Sequence, residues 1–265
     1  MLSVALASLA DAKTRADCEK HYTPQRGQDG KDVIWVPIED SVVQPMLVMA
    51  GVTPADKVYD LGAGDGKISI AAAKGFGATS VGVEYDPDLV KHAQCLVEAE
   101  GLQKRVKIIR GDIFETDFST ATVVTLYLLP DLNKRLRPTL LEMKPGTRVA
   151  SYSFGMGDWS PDAQVETDGG VAYLWVVPAK VGGAWTFRSQ NGNEPFDVTL
   201  EQTFQNVRGS AGGAAVTGKL NGAQIHFVFM DGDEPTSFTG IVDGNRISGT
   251  ITRGLDSKDC TGTRY

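Results

Sequence analysis

Between residues 57 and 154 the chain alternates short runs rich in Val and Ile with segments of helical length, and this alternation limits the fold more than any other feature. The apolar runs are "KVYDLG", "SVGVEYD", "RVKIIRGD", "ATVVTLYLLP" and "TRVASYSF"; between them lie "KISIAAAKGF", "PDLVKHAQCLVEAEG" and "DLNKRLRPTLLEM". Strands covered on both faces read as continuous apolar runs, and short links from such strands to helices mean βαβ units. The pattern is that of a doubly wound α/β domain. Upstream, "EDSVVQPMLVMAGV" sets Val42, Val43, Met46, Leu47 and Ala50 on one face of a further helix, with Pro45 marking its start or a kink.

Near residue 180 the period shortens to two, and Gly, Thr and Asn become frequent. "TGKLNGAQIHF" recurs as "TGIVDGNRISG", with Thr217 matching Thr239 and Gly222 matching Gly244. Each copy holds Asn-Gly or Asp-Gly between alternating segments, the pairs that tolerate the positive φ angles of a two-residue hairpin turn. With "AWTFRSQ" and "FDVTLEQTF" ahead of them, these hairpins predict a small antiparallel sheet or partial barrel. Trp185, Phe187, Phe204, Phe227, Phe229 and Phe238 fall where they can form one apolar face, which an open sheet would have to cover by docking. The expected organisation is an N-terminal extension over 1–32, the α/β domain over 33–180 and a β-rich domain over 181–265.

The glycine-rich turn "YDLGAGDGK" links the first strand to the first helix of the alternation. Gly62, Gly64 and Gly66 let the backbone bend sharply and approach a ligand. Dinucleotide enzymes place a pyrophosphate against such a helix N-terminus, whereas S-adenosylmethionine enzymes place the methionine end of their cofactor there. Asp60 and Asp65 would repel a pyrophosphate and attract an ammonium and a sulfonium, so S-adenosylmethionine is the expected cofactor. Glu84, at the end of the next strand, is where a carboxylate accepts ribose hydroxyls; Asp112, after the third, suits the adenine amine. Ala63 in the turn, Tyr85 and Ile113 beside the two carboxylates, and Leu126 on the fourth strand complete the expected contacts. Trp35 and Pro37 are expected to form a lid over the cofactor or to anchor the core.

The stretch "VYDLGAGDGKISIAAAKGFGATSVGVEYDPDL" resembles motif I through the acidic loop of class I methyltransferases. "FETDFSTATVVTLYLLPDLNKRLRPTLLEMKPGTRVASYSF", with "WVPIEDSVVQPML" upstream, is similar to the archaeal protein-lysine methyltransferases and the mitochondrial ATP synthase c-subunit lysine methyltransferases. The likeness covers about residues 33–178 and implies a seven-stranded Rossmann-like sheet, methyl transfer and a lysine acceptor. Two departures stand out: Val36-Pro37-Ile38-Glu39 replaces the family's "VPTP", and the β-rich tail is absent from the minimal archaeal form.

Methyl transfer needs alignment and water exclusion more than a dedicated base. Tyr127, Leu128, Leu129 and Pro130 would wall the acceptor side; Tyr127 is either a catalytic-site residue or a packed aromatic. These residues lack the Asn/Asp-Pro-Pro-Tyr of enzymes acting on base or amide nitrogens. Asp158 and Trp159 would border the acceptor channel or simply shape a turn. The expected acceptor is a protein lysine or, alternatively, a small molecule capped by the β tail; a third reading is a non-catalytic binding protein on this fold. The net charge of -7 argues against nucleic acid as a partner. Cys18, Cys95 and Cys260 with His21, His92 and His226 show no metal spacing, so no metal is expected. His92 reads as partly exposed, Cys95 as core, and Cys18 with Cys260 as a pair only in an oxidising compartment. No stretch is long and apolar enough to span a bilayer. The expected location is the cytoplasm, with "MLSVALASLADAK" as a possible signal peptide.

Overall fold

The computed structural model describes residues 13–189 and 194–265, so the signal-peptide reading of the first residues lies outside the described residues. Two compact units emerge, one of residues 1–136 and 149–174 and the other of residues 137–148 and 175–265.

The α/β part starts with α1 (Arg15–His21) and α2 (Asp40–Met49), which runs through Pro45 and buries Val42, Val43, Met46 and Leu47. Then β1 (Lys57–Leu61), α3 (Lys67–Phe76), β2 (Thr79–Glu84), α4 (Pro87–Ala99), β3 (Val106–Arg110), β4 (Val123–Leu126), α5 (Pro130–Leu141), β5 (Arg148–Tyr152), β6 (Ala163–Thr167) and β7 (Gly170–Val176) follow. The α4 boundary is written in its sequence: the Asp86 side chain accepts from the backbone N–H groups of Asp88 and Leu89, and Pro87 takes the first helical position.

The seven strands form one sheet in the order β3-β2-β1-β4-β5-β7-β6, parallel at β3-β2, β2-β1 and β1-β4 and antiparallel at β6-β7. Strand order reverses between β1 and β4. In open α/β sheets ligands bind in the crevice beyond the carboxyl ends of the strands at such a reversal.

Cys18 of α1 and Cys95 of α4 form a disulfide with Cα atoms 5.7 Å apart. This corrects the pairing of Cys18 with Cys260 and the reading of Cys95 as a free core residue; Cys260 is a buried free thiol. His92 is also corrected, because α1 covers that face of α4. It is 6% exposed, with its ring 5.9 Å from Tyr22, and burial lowers its pKa.

The tail is a closed barrel of β8 (Gly183–Ser189), β9 (Phe196–Thr203), β10 (Asn206–Ala211), β11 (Ala214–Asn221), β12 (Gln224–Asp231), β13 (Glu234–Asp243), β14 (Arg246–Arg253) and β15 (Asp256–Arg264). Pairing of β15 with β8 closes it, Cys260 opposite Ser189 and Arg264 opposite Trp185. The apolar face therefore needs no docking surface: closure turns Trp185, Phe187, Phe227, Phe229 and Phe238 into the barrel's own core and removes the free edges. Phe204 departs from that set. It sits in the β9–β10 turn at φ 54°, with the Arg137 guanidinium 5.3 Å from its ring centroid.

The turn glycines also act differently from a paired Asn-Gly centre. Asn221 pairs with Gln224 and Asp243 with Arg246, so Asn221 and Asp243 close the ladders and Gly222 and Gly244 take the first central position at φ 59° and 58°. Glycine at that position is the requirement of a type II′ turn.

Candidate active site

The turn after β1 brings the expected residues to one pocket. Gly62, Gly64 and Gly66 all have positive φ, and the N–H groups of Gly62 and Ala63 donate to the Val83 carbonyl at 2.9 Å. Glu84, ending β2, reaches across: its carboxylate accepts from the backbone N–H of Gly64 at 2.8 Å, of Tyr85 at 2.7 Å and of Asp86 at 2.9 Å. Glu84 thus holds the shape of the turn as well as facing the pocket, a role that sequence reasoning did not foresee.

Asp60 is fully enclosed on β1. One carboxylate oxygen accepts from Thr125 Oγ1 at 2.8 Å; the other, Oδ2, has no partner among the described residues. Burial pushes its pKa up to about 7, the Thr125 hydrogen bond opposing this and the charges of Asp65 and Glu84 adding to it. Asp112, beyond β3, accepts from the Phe114 N–H at 2.9 Å and from the ammonium of Lys31, which holds its carboxyl below the usual range. Lys31 also lies 5.1 Å from the ring centroid of Tyr85.

The segment before α2 covers the turn. The Trp35 backbone donates to Gln28 and accepts from Gly27, and its indole packs on Gly64 so closely that a Cβ there would lie 2.5 Å from Nε1. Trp35, Pro37, Asp60, Gly62, Ala63, Gly64, Asp65, Glu84, Tyr85, Asp112, Ile113 and Tyr127 all line the pocket, together with Leu128. Gly66 and Leu126 do not: Gly66 is the N-cap of α3 facing Ala93 and Ile108, and Leu126 is fully buried in β4. Leu129 is exposed and Pro130 opens α5, so neither walls the pocket. Trp159 is buried and, like Asp158, is not among the lining residues.

Tyr127 packs its ring 4.9 Å from that of Tyr152, and burial raises its pKa, so it offers a neutral hydroxyl rather than a phenolate. Lys31, Asp32, Lys67 and Leu89 line the pocket without having been singled out. Their signal was weak, because "GQDGKDVIW" has no periodicity and Lys67 reads as an ordinary first-turn residue.

Five carboxylates (Asp32, Asp60, Asp65, Glu84, Asp112) face two ammonium groups in this lining. Both ammonium groups are engaged, Lys31 with Asp112 and Lys67 with the Ile38 carbonyl at 2.7 Å and Asp40 at 3.2 Å. An orphaned, buried carboxylate oxygen beside a glycine cradle fits a cationic amino group and leaves no place for a pyrophosphate. The residues therefore fit S-adenosylmethionine.

The sequence profile of the ANTKMT methyltransferase domain matches residues 60–163. A protein-lysine N-methyltransferase of Saccharolobus islandicus is 42% identical over 151 residues, covering 55% of this chain and 94% of that protein. The ATP synthase c-subunit lysine N-methyltransferase of Homo sapiens is 33% identical over 134 residues, covering 50% of this chain and 54% of that one, so the chain spans about half of that relative's length. Among solved structures, an RNA methyltransferase from Salinibacter ruber in complex with S-adenosyl-L-homocysteine aligns with a TM-score of 0.54 and 49% identity, over 55% of this chain and 96% of that one.

Proposed function

Because this chain belongs to the S-adenosylmethionine-dependent methyltransferases, we propose that its acceptor is the side-chain amine of a protein lysine. The observation that carries the reading is the likeness to an archaeal protein-lysine N-methyltransferase along 94% of that relative's length. The description of the Salinibacter ruber structure favours a second reading, an RNA acceptor. Against it stand the net charge of -7 and a pocket rich in carboxylates, because an RNA backbone needs basic contacts.

In the proposed site Asp60 Oδ2 takes the cofactor's ammonium, Glu84 the ribose hydroxyls and Asp112 the adenine amine in place of Lys31. Trp35 and Pro37 close over the glycine cradle and keep water out. When bound, the cofactor supplies a methyl group on a sulfonium centre: the acceptor nitrogen's lone pair forms the N–C bond, the C–S bond breaks with its electrons on sulfur, and the nitrogen's proton passes to water. Tyr127 keeps its proton and orients the incoming amine through its hydroxyl oxygen. Leu128 and Ile68 supply the apolar wall.

Labelled S-adenosylmethionine incubated with this protein and lysate, then fractionated into protein, RNA and small molecules, tests the acceptor. Label is expected in protein, released on acid hydrolysis as N-methyllysine. Label confined to RNA or to small molecules would rule the lysine reading out.

The site assignment has a pH signature. Asp60, with a pKa of about 7 in the free protein, holds a proton below that pH and must release it to accept the ammonium. Affinity for S-adenosylhomocysteine is expected to rise roughly tenfold per pH unit from about pH 5 to 7 and then level off. Calorimetry across that range checks this. Asp60→Asn is expected to flatten the profile, and a wild-type profile already flat would remove Asp60 from the ammonium's contacts.

A further inference from the structure

The two ends of the barrel are built differently. At the end where the chain enters β8, Trp185 Nε1 donates to the Val181 carbonyl at 2.8 Å. The Arg264 guanidinium lies 5.2 Å from the Trp185 ring and donates to the carbonyls of Lys180 and Gly182 and to Asn245 Oδ1. That end is plugged. In the middle the rings of Phe187, Phe227 and Phe238 pack edge-on and stacked, with centroids 5.1 to 5.8 Å apart.

The other end carries the β10–β11, β12–β13 and β14–β15 turns and encloses a cavity of about 510 Å³. Native cores leave few voids larger than a water molecule, whereas this volume is in the range of small-molecule sites. Its wall includes Phe196, Ala211, Ala214, Phe229 and Ile251. Among its polar lining residues Thr236 is the buried one: it is 2% exposed, and its hydroxyl has no partner among the described residues. An unpaired buried hydroxyl is unfavourable, and valine would fill the same space without that penalty. The mouth is charged with both signs: Arg253 pairs with Asp231 at 3.1 Å and Glu234 at 2.6 Å, and Glu194, Asp256 and Lys258 stand beside them.

We propose that the barrel is a second binding site, for a small, mainly apolar molecule that carries one hydrogen-bonding group for Thr236. Aromatic walls over a closed floor accept a flat or branched ligand. An eight-stranded barrel has an interior wide enough either to be filled by side chains or to hold one such molecule, and here the plugged half follows the first course and the open half the second.

The test uses the full chain and the fluorescent probe N-phenyl-1-naphthylamine, which is uncharged, apolar and has one N–H. Saturable binding at one site per chain is expected, unchanged by saturating S-adenosylhomocysteine, which separates this cavity from the cofactor pocket. Ala214→Trp fills the cavity and is expected to weaken the probe at least roughly tenfold while leaving S-adenosylhomocysteine affinity and the melting curve intact. Thr236→Val, nearly isosteric, is expected to weaken it roughly threefold or more, and it carries the test if the tryptophan variant does not fold. No saturable binding, competition by S-adenosylhomocysteine, or equal binding by a folded variant would each overturn the proposal.

Discussion

Gly64→Val is expected to lower affinity for S-adenosylhomocysteine by at least a factor of about a thousand, ~4 kcal/mol, in a protein that still unfolds cooperatively. Gly64 has φ 55°, and a Cβ there would lie 2.5 Å from Trp35 Nε1. A β-branched side chain would displace the Trp35 indole, narrow the cradle beside Asp60 Oδ2 and disturb the N–H that Glu84 holds at 2.8 Å. The folding cost of a left-handed residue at one turn is about 1 to 2 kcal/mol, small beside the effect on binding. Calorimetry with a parallel thermal melt reads both. Affinity within tenfold of wild type in a folded variant would mean that the cofactor does not contact the turn.

Reducing the Cys18–Cys95 bridge, or replacing Cys95 with Ala, is expected to destabilise the protein by about 4.5 kcal/mol on the chain-entropy account, since the bridge spans 77 residues. Helix α1 has only seven residues, too few to persist alone, so the bridge and the face of α4 hold it in place. Denaturant titration with and without a non-thiol reductant measures the loss. Unfolded without reductant, the protein should present one reactive thiol, Cys260, and after reduction three. Unchanged midpoints, or three thiols at the outset, would disprove the bridge. A disulfide persists in an oxidising compartment, so the same chain in a reducing cytosol would forgo this stability.

Most of the α/β strands and the cradle could be read in the sequence because their determinants are local. Val58, Tyr59 and Leu61 form a short apolar run interrupted only by Asp60, Pro87 and Asp86 announce α4, and Gly62, Gly64 and Gly66 announce a turn whose φ angles only glycine adopts freely. Asp60, Glu84 and Asp112 could be found because each ends or follows a strand that points at the same crevice. Leu126 is buried in β4 and is not among the lining residues, because strand alternation alone does not say which positions of β4 reach the crevice. Lys31 escaped notice because its partner, Asp112, lies 81 residues away.

The order of elements, the acidic glycine turn and the alternation of the tail are all legible in the residues. All of these depend on backbone preferences and residue periods within a few positions. It takes the assembled fold to bring Cys18 to Cys95 rather than Cys260, to lay Trp35 on Gly64, and to return β15 to β8 so that Trp185 and Phe227 share an enclosed core. Each of these is a pairing between distant segments. It is selected by which apolar surfaces and backbone edges can be covered together, a property of the assembled chain that no local pattern carries.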